Sequence, residues 1–182
     1  MYLKPGDIFL TKGDSFVSRA IRFLTRDKGE SRTEVNHVGI VVAMGTQETA
    51  FIVEALTKVK RRLMLSYCNS KSTEVAIFRP ALSDGEISRI VARANGYVGR
   101  DYGYIKLLAH FIDWCLGGIY LARRIARMDN YPICSWVVAY AYDEVGLDFG
   151  VPPEVASPDD IWDYCVAHPE YFFCVHPLST LK

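Results

Sequence analysis

Apolar residues along this chain cluster into short runs near its beginning and into helix-spaced sets further on. Gly6-Asp7-Ile8-Phe9-Leu10-Thr11 reads as a strand. His37–Met44 and Gln47–Ala55 read as two strands joined by a hairpin turn at Gly45-Thr46. Further strands are expected at Lys58–Leu65, Glu74–Arg79 and Phe172–Val175. Asp14 or Ser15 is placed to cap a helix whose inner side carries Phe16, Ala20, Ile21, Phe23 and Leu24. Ser83-Asp84-Gly85-Glu86 is a capping-box pattern, opening a helix with Ile87, Ile90, Val91 and Ala94 at core spacing and ending near Gly96–Gly99. A second helix is expected over Tyr104 to Met128. A third begins near Cys134 and runs to about Val145, with Gly146 as its stop. Ser157-Pro158-Asp159-Asp160 starts a short fourth, proline being tolerated in a first turn. Strands and helices come in runs instead of alternating, which predicts an α+β fold with an antiparallel sheet packed against helices.

The hairpin brings two polar residues to one face. A two-residue loop pairs Met44 with Gln47, and counting back sets His37 opposite Glu54. A four-residue loop keeps both on one face; an odd loop would separate them.

At 182 residues the chain is long enough for one self-sufficient core, and a single domain over 1–182 is expected. Its 21 basic and 21 acidic residues cancel, which disfavours nucleic acid as a partner. Five cysteines (68, 115, 134, 165 and 174) lack the spacing of a disulfide framework and suggest reduced thiols. No charged-then-apolar leader opens the sequence, so a cytoplasmic location is the default expectation. The apolar stretch from Tyr104 to Ala122 contains Lys106, His110 and Asp113. A spanning helix would hold Asp113 near mid-membrane at a cost of about 3 kcal/mol, so a buried or groove-lining helix is expected instead.

The chemistry lies in a histidine at the head of a strand and a cysteine at the head of a helix. Pro132 suits the first helical position, with Asp129 or Asn130 as cap, which sets Cys134 in the first turn. There the helix favours a thiolate, and a neighbouring histidinium favours it further. First-turn amides lack intrahelical partners, so the Cys134 N–H is a natural oxyanion donor. Taken singly, Cys134, His37 and Glu54 each have an ordinary structural role; together they compose a nucleophile, a base and an orienting carboxylate.

Gly6-Asp7-Ile8-Phe9, Asn36-His37-Val38-Gly39-Ile40, and Cys134-Ser135 followed by Val138-Ala139-Tyr140 resemble the circularly permuted branch of the NlpC-type papain-like superfamily. The closest resemblance within it is to the YiiX/YaeF-like cysteine amidases, with a more distant likeness to lecithin:retinol acyltransferase. In that branch the histidine strand precedes the cysteine helix, as it does here. The resemblance implies that Cys134 is the nucleophile, His37 the base and Glu54 the polar third member, cleaving an amide or peptide bond through a thioester. It suggests cell-wall peptides as substrates and calls for no cofactor. Gly99-Arg100-Asp101-Tyr102-Gly103-Tyr104 resembles the aromatic stretch these proteins carry before the cysteine helix, which makes Tyr102 an oxyanion or substrate candidate. Asp14 and Ser15 resemble a loop that lines the cleft. Asn36, also a candidate, stands where this family leads one to expect Ser.

Two other readings remain open. The same thioester resolved by an amine or alcohol gives an acyltransferase, or a thioesterase, on a lipid held along Leu107–Leu121; without a reactive Cys134 the domain is a binding module. Cys165, His168, Cys174 and His176 fall close together, but their spacing matches no zinc motif, and no metal is assigned.

Overall fold

A computed structural model describes residues 1–13, 33–56, 58–68, 70, 72–100 and 134–181. In chain order the described elements are β1 (Tyr2–Leu3), β2 (Ile8–Gly13), β3 (His37–Ala43), β4 (Gly45–Thr46), β5 (Phe51–Ala55), β6 (Val59–Leu63), β7 (Thr73–Pro80), α1 (Asp84–Gly96), α2 (Cys134–Asp143), α3 (Pro158–Ala167) and β8 (Phe172–Ser179). A single turn of 3-10 helix, Met64–Tyr67, follows β6. Six strands form an antiparallel sheet in the order β6-β5-β3-β2-β7-β8, while β1 and β4 pair separately. The mixed, antiparallel α+β class expected from the sequence is the one formed. The helices expected after Asp14 or Ser15 and over Tyr104 to Met128 lie outside the described residues, as do Asp129, Asn130 and Pro132.

The strands read as apolar runs because both faces of the sheet are covered. Ile8, Leu10, Val38, Ile40, Val53 and Phe78 point to the helices, meeting Ile90 of α1, Val137 and Val138 of α2 and Ile161 of α3. The alternate positions Phe9, Val41, Ile52, Val75 and Ile77 build a second core with Leu3 and Met64. In the first core lies α2, eight of whose ten residues are buried, which makes it a core helix and not an amphipathic one. Both capping boxes form: Ser83 with Glu86 on α1, and Ser157 with Asp160 on α3, where Pro158 sits in the first turn. Gly146, at φ +74°, turns the chain just beyond α2. Among the described residues, no helix is long and apolar enough to cross a membrane.

The hairpin differs from expectation in an instructive way. Ala43 pairs with Phe51, leaving residues 44 to 50 as a seven-residue connection in place of a two-residue turn. Gly45-Thr46 is not the turn; it is β4, paired with β1. An odd loop would put His37 and Glu54 on opposite faces, but the register shifts by one residue between Val41 and Ala43. That bulge restores the parity. His37 therefore pairs with Thr11 of β2, and Glu54 pairs with Gly39, two residues from His37 and on the same face.

Gly39 is small for a definite reason. A Cβ there would lie 2.5 Å from the Phe9 ring and 2.8 Å from the Val53 carbonyl oxygen. The Phe9 ring thus fills the space a side chain at 39 would take, meeting His37 edge-on and Tyr67 at a tilt.

Candidate active site

His37 opens β3 and is held from several directions. The Asn36 backbone N–H donates to the Thr11 carbonyl, and the Asn36 Oδ1 accepts from the Gly13 N–H at 2.7 Å. In the first turn of α3, Asp159 accepts from the Glu34 N–H at 3.3 Å. The segment leading into His37 is therefore tied both to β2 and to a helix more than 120 residues away in sequence. Asn36, an expected substrate contact, is 7% exposed and shows here a supporting contact with its neighbouring strand.

Glu54 is fully buried and accepts from three side chains. Its Oε2 meets His37 Nε2 at 2.6 Å and accepts from the Tyr67 hydroxyl at 2.5 Å. Its Oε1 accepts from Nε of Arg62, which stands on β6 diagonally across from it and lays its guanidinium over the Tyr67 ring. Burial alone would raise the Glu54 pKa. The His37 hydrogen bond and charge, the Tyr67 hydroxyl and the Arg62 charge outweigh it, so the carboxyl ionises below its ordinary range.

Cys134, the first described residue of α2, completes the group. Its side chain hydrogen-bonds His37. With Nε2 on Glu54, the imidazole offers Nδ1 to the thiol. Burial opposes ionisation of the thiol, yet the His37 hydrogen bond and charge, together with backbone hydrogen bonds from Val38 and Ser135, bring its pKa below the ordinary value. Burial likewise opposes charging of His37, but Cys134 and Glu54 push its pKa up to about 10. The favoured state is a thiolate–imidazolium pair backed by a carboxylate. Beside it Ser135 is also buried, and among the described residues its hydroxyl has no hydrogen-bond partner.

The fold places Cys134, His37 and Glu54 in one group, whereas Asp14, Ser15 and Tyr102 lie outside the described residues. Arg62 and Tyr67 were not foreseen. The signal available for Arg62 was a basic strand directly following the one that carries a buried glutamate.

Cys165, Cys174, His168 and His176 make other contacts. Cys165 and Cys174 line an apolar cavity of about 450 Å³ between α3 and β8, with Trp162 and Phe173. His168 contacts Glu170, and His176 contacts the Ser179 hydroxyl.

A family model for permuted papain-like amidase enzymes, the YaeF/YiiX or C92 family, matches residues 2–152. The chain belongs to this family. Membership of C92 makes it a papain-like cysteine hydrolase in the broad sense. Among solved structures, the metalloprotein YiiX from Escherichia coli O157:H7 is similar across 98% of both chains, with 17% identity and a TM-score of 0.63. That likeness shows the fold. A comparison with curated proteins finds no match.

Proposed function

We propose that this C92 member hydrolyses an amide or peptide bond with Cys134 as nucleophile, His37 as general base and acid, and Glu54 as the group that orients the imidazole. The observation that supports this is the continuous chain of hydrogen bonds from the Cys134 thiol through His37 to Glu54. In the first half-reaction the thiolate attacks the carbonyl carbon. The Cys134 N–H, at the start of α2, stabilises the oxyanion. The intermediate collapses as His37 gives its proton to the leaving amine, and a thioester remains. Neutral His37 then takes a proton from water, whose oxygen attacks the thioester. Collapse releases the acid, and the thiolate–imidazolium pair returns. Cell-wall peptides are the first substrates to screen.

The solved relative is described as a metalloprotein. In this chain no group of three or more His, Cys, Asp or Glu side chains among the described residues is arranged to hold a metal ion, and Glu54 is already engaged by three donors. No step above passes through a metal.

The test is peptide-resolved alkylation of all five cysteines at about pH 6, where an ordinary thiol is protonated. Cys134 should label at least about tenfold faster than the others, and His37→Ala should remove the advantage. Labelling of Cys134 at the common rate, or indifference to His37→Ala, would overturn the assignment.

A further inference from the structure

Glu54 is more heavily bonded than an orienting carboxylate needs to be. One hydrogen bond to His37 Nε2 suffices to fix the ring and its tautomer. Two further donors, the Arg62 guanidinium and the Tyr67 hydroxyl, reach the same carboxylate, and Tyr67 shares with His37 the single oxygen Oε2. The two donors also stack on each other, with the Arg62 guanidinium carbon 5.3 Å from the Tyr67 ring centre. They form a clamp on Glu54, built from β6 and the turn that follows it.

We propose that Arg62 and Tyr67 are positioning residues that share the Glu54 charge with His37 and thereby restrain the basicity of the imidazole. This inference rests on the reading of Cys134 and His37 as nucleophile and base, and deepens it. A histidine that must give a proton to a leaving amine and then take one from water works best when its affinity for that proton is moderate. An undivided, fully buried carboxylate beside it would hold the imidazolium too tightly. Drawing part of that charge toward a permanent cation and a phenol weakens the hold while leaving the orientation intact.

The groups facing His37 are few among the described residues. Cys134 comes from α2 and Glu54 from β5. Opposite on β2, Thr11 is uncharged, and Phe9 presents a ring edge. Lys12, next along β2, is paired with Glu34 and Glu74. Changing Arg62 or Tyr67 therefore acts on His37 through Glu54.

The measurement is the pH dependence of Cys134 alkylation, from about pH 5 to about pH 11, read at the upper inflection where His37 releases its proton. Arg62→Met should raise that inflection by about one pH unit, and Tyr67→Phe by about half as much. Arg62→Lys, which keeps the cation, should stay with the wild type. Glu54→Gln should move it down. A merely structural role would lower the melting temperature and slow labelling at every pH without raising the inflection. An inflection that stays or falls in Arg62→Met, or an Arg62→Lys protein that behaves like Arg62→Met, overturns the proposal while leaving the nucleophile and base intact. A wild type whose Cys134 labelling does not depend on His37 overturns both.

Discussion

Two carboxylates in this molecule are fully buried beside an arginine, and they do different work. Asp7 accepts from Arg79 through both oxygens, at 2.8 and 2.7 Å, and from the Lys4 N–H at 2.8 Å. Every one of these partners is a permanent donor, so the cluster is closed. It fastens the N-terminal segment to β7, and Arg79 also donates to the Tyr2 carbonyl. Glu54 has an arginine as well, but one of its three partners is an imidazole that can give up its proton. The first pair is a clip; the second is an open relay ending at Cys134. A buried carboxylate–arginine pair is thus not in itself a sign of function. What distinguishes Glu54 is a titratable neighbour with a second partner beyond it.

The largest contrast comes from neutralising each carboxylate in turn. Glu54→Gln should slow Cys134 alkylation at about pH 6 by about tenfold to a hundredfold, the value of one charged hydrogen bond to His37. Asp7→Asn should leave that rate within about twofold of wild type but cost about 3 kcal/mol in urea unfolding, because Arg79 loses its ionic partner. If both variants slowed labelling equally, the clip would be part of the relay.

The pH dependence of stability separates the regions further. His37 is raised from 6.5 to about 10, so its contribution is complete below 6.5 and is lost as pH rises through about 10. Cys134 is lowered from 9.0, so its contribution is complete above 9.0 and is lost as pH falls through its folded value. Between the folded value of Cys134, or 6.5 if that is higher, and 9.0 the folded pair carries one proton, on His37, and the unfolded pair also carries one, on the cysteine. The pair thus adds no slope in that window. Glu54, lowered from 4.5, adds stability that is lost in acid. Urea unfolding should therefore show the Glu54 contribution lost in acid, the pair's contribution level over the pH range just below 9.0, and a fall above 9.0. Cys134→Ser removes the partner that contributes most to raising His37, so the fall above 9.0 should shrink and move to lower pH.

Much of this was legible in the sequence, for reasons that differ by element. The capping box at Ser83 is local, needing only residues three apart, and forms as read; Ser157 heads α3 as read, and its box with Asp160 is a detail the structure adds. The shared face of His37 and Glu54 was reached by a count that assumed an even loop. The chain instead uses an odd loop and one bulge, and no local pattern in Val41-Val42-Ala43 announces the bulge. Asp7 and Arg79 are 72 residues apart, and nothing near either one signals the other. Arg62 and Tyr67 were missed because their meaning depends on where Glu54 points, which is decided by the pairing of β5 with β6.

A smaller effect tests how the relay is buttressed. Gly39→Ala would drive a methyl group into the Phe9 ring and the Val53 carbonyl, at a cost of about 1–3 kcal/mol. Because that ring also bears on His37 and Tyr67, slower Cys134 labelling should accompany the loss of stability. Asp7→Asn, in contrast, should destabilise without slowing. A Gly39→Ala protein that loses stability yet labels at the wild-type rate would show that Phe9 supports only the core.

The weakest link joins the two regions. Tyr142, near the far end of the helix that begins at Cys134, donates its hydroxyl to the Gly6 carbonyl at 2.6 Å, one residue from Asp7. Both partners are buried, so Tyr142→Phe leaves a carbonyl unsatisfied and should cost about 1–2 kcal/mol. Since α2 is packed along its whole length, its N-terminus should stay where it is, and Cys134 labelling should change by less than about twofold. A larger drop would mean that the clip at Asp7 sets the position of the nucleophile through α2. The two carboxylates would then be the ends of one device.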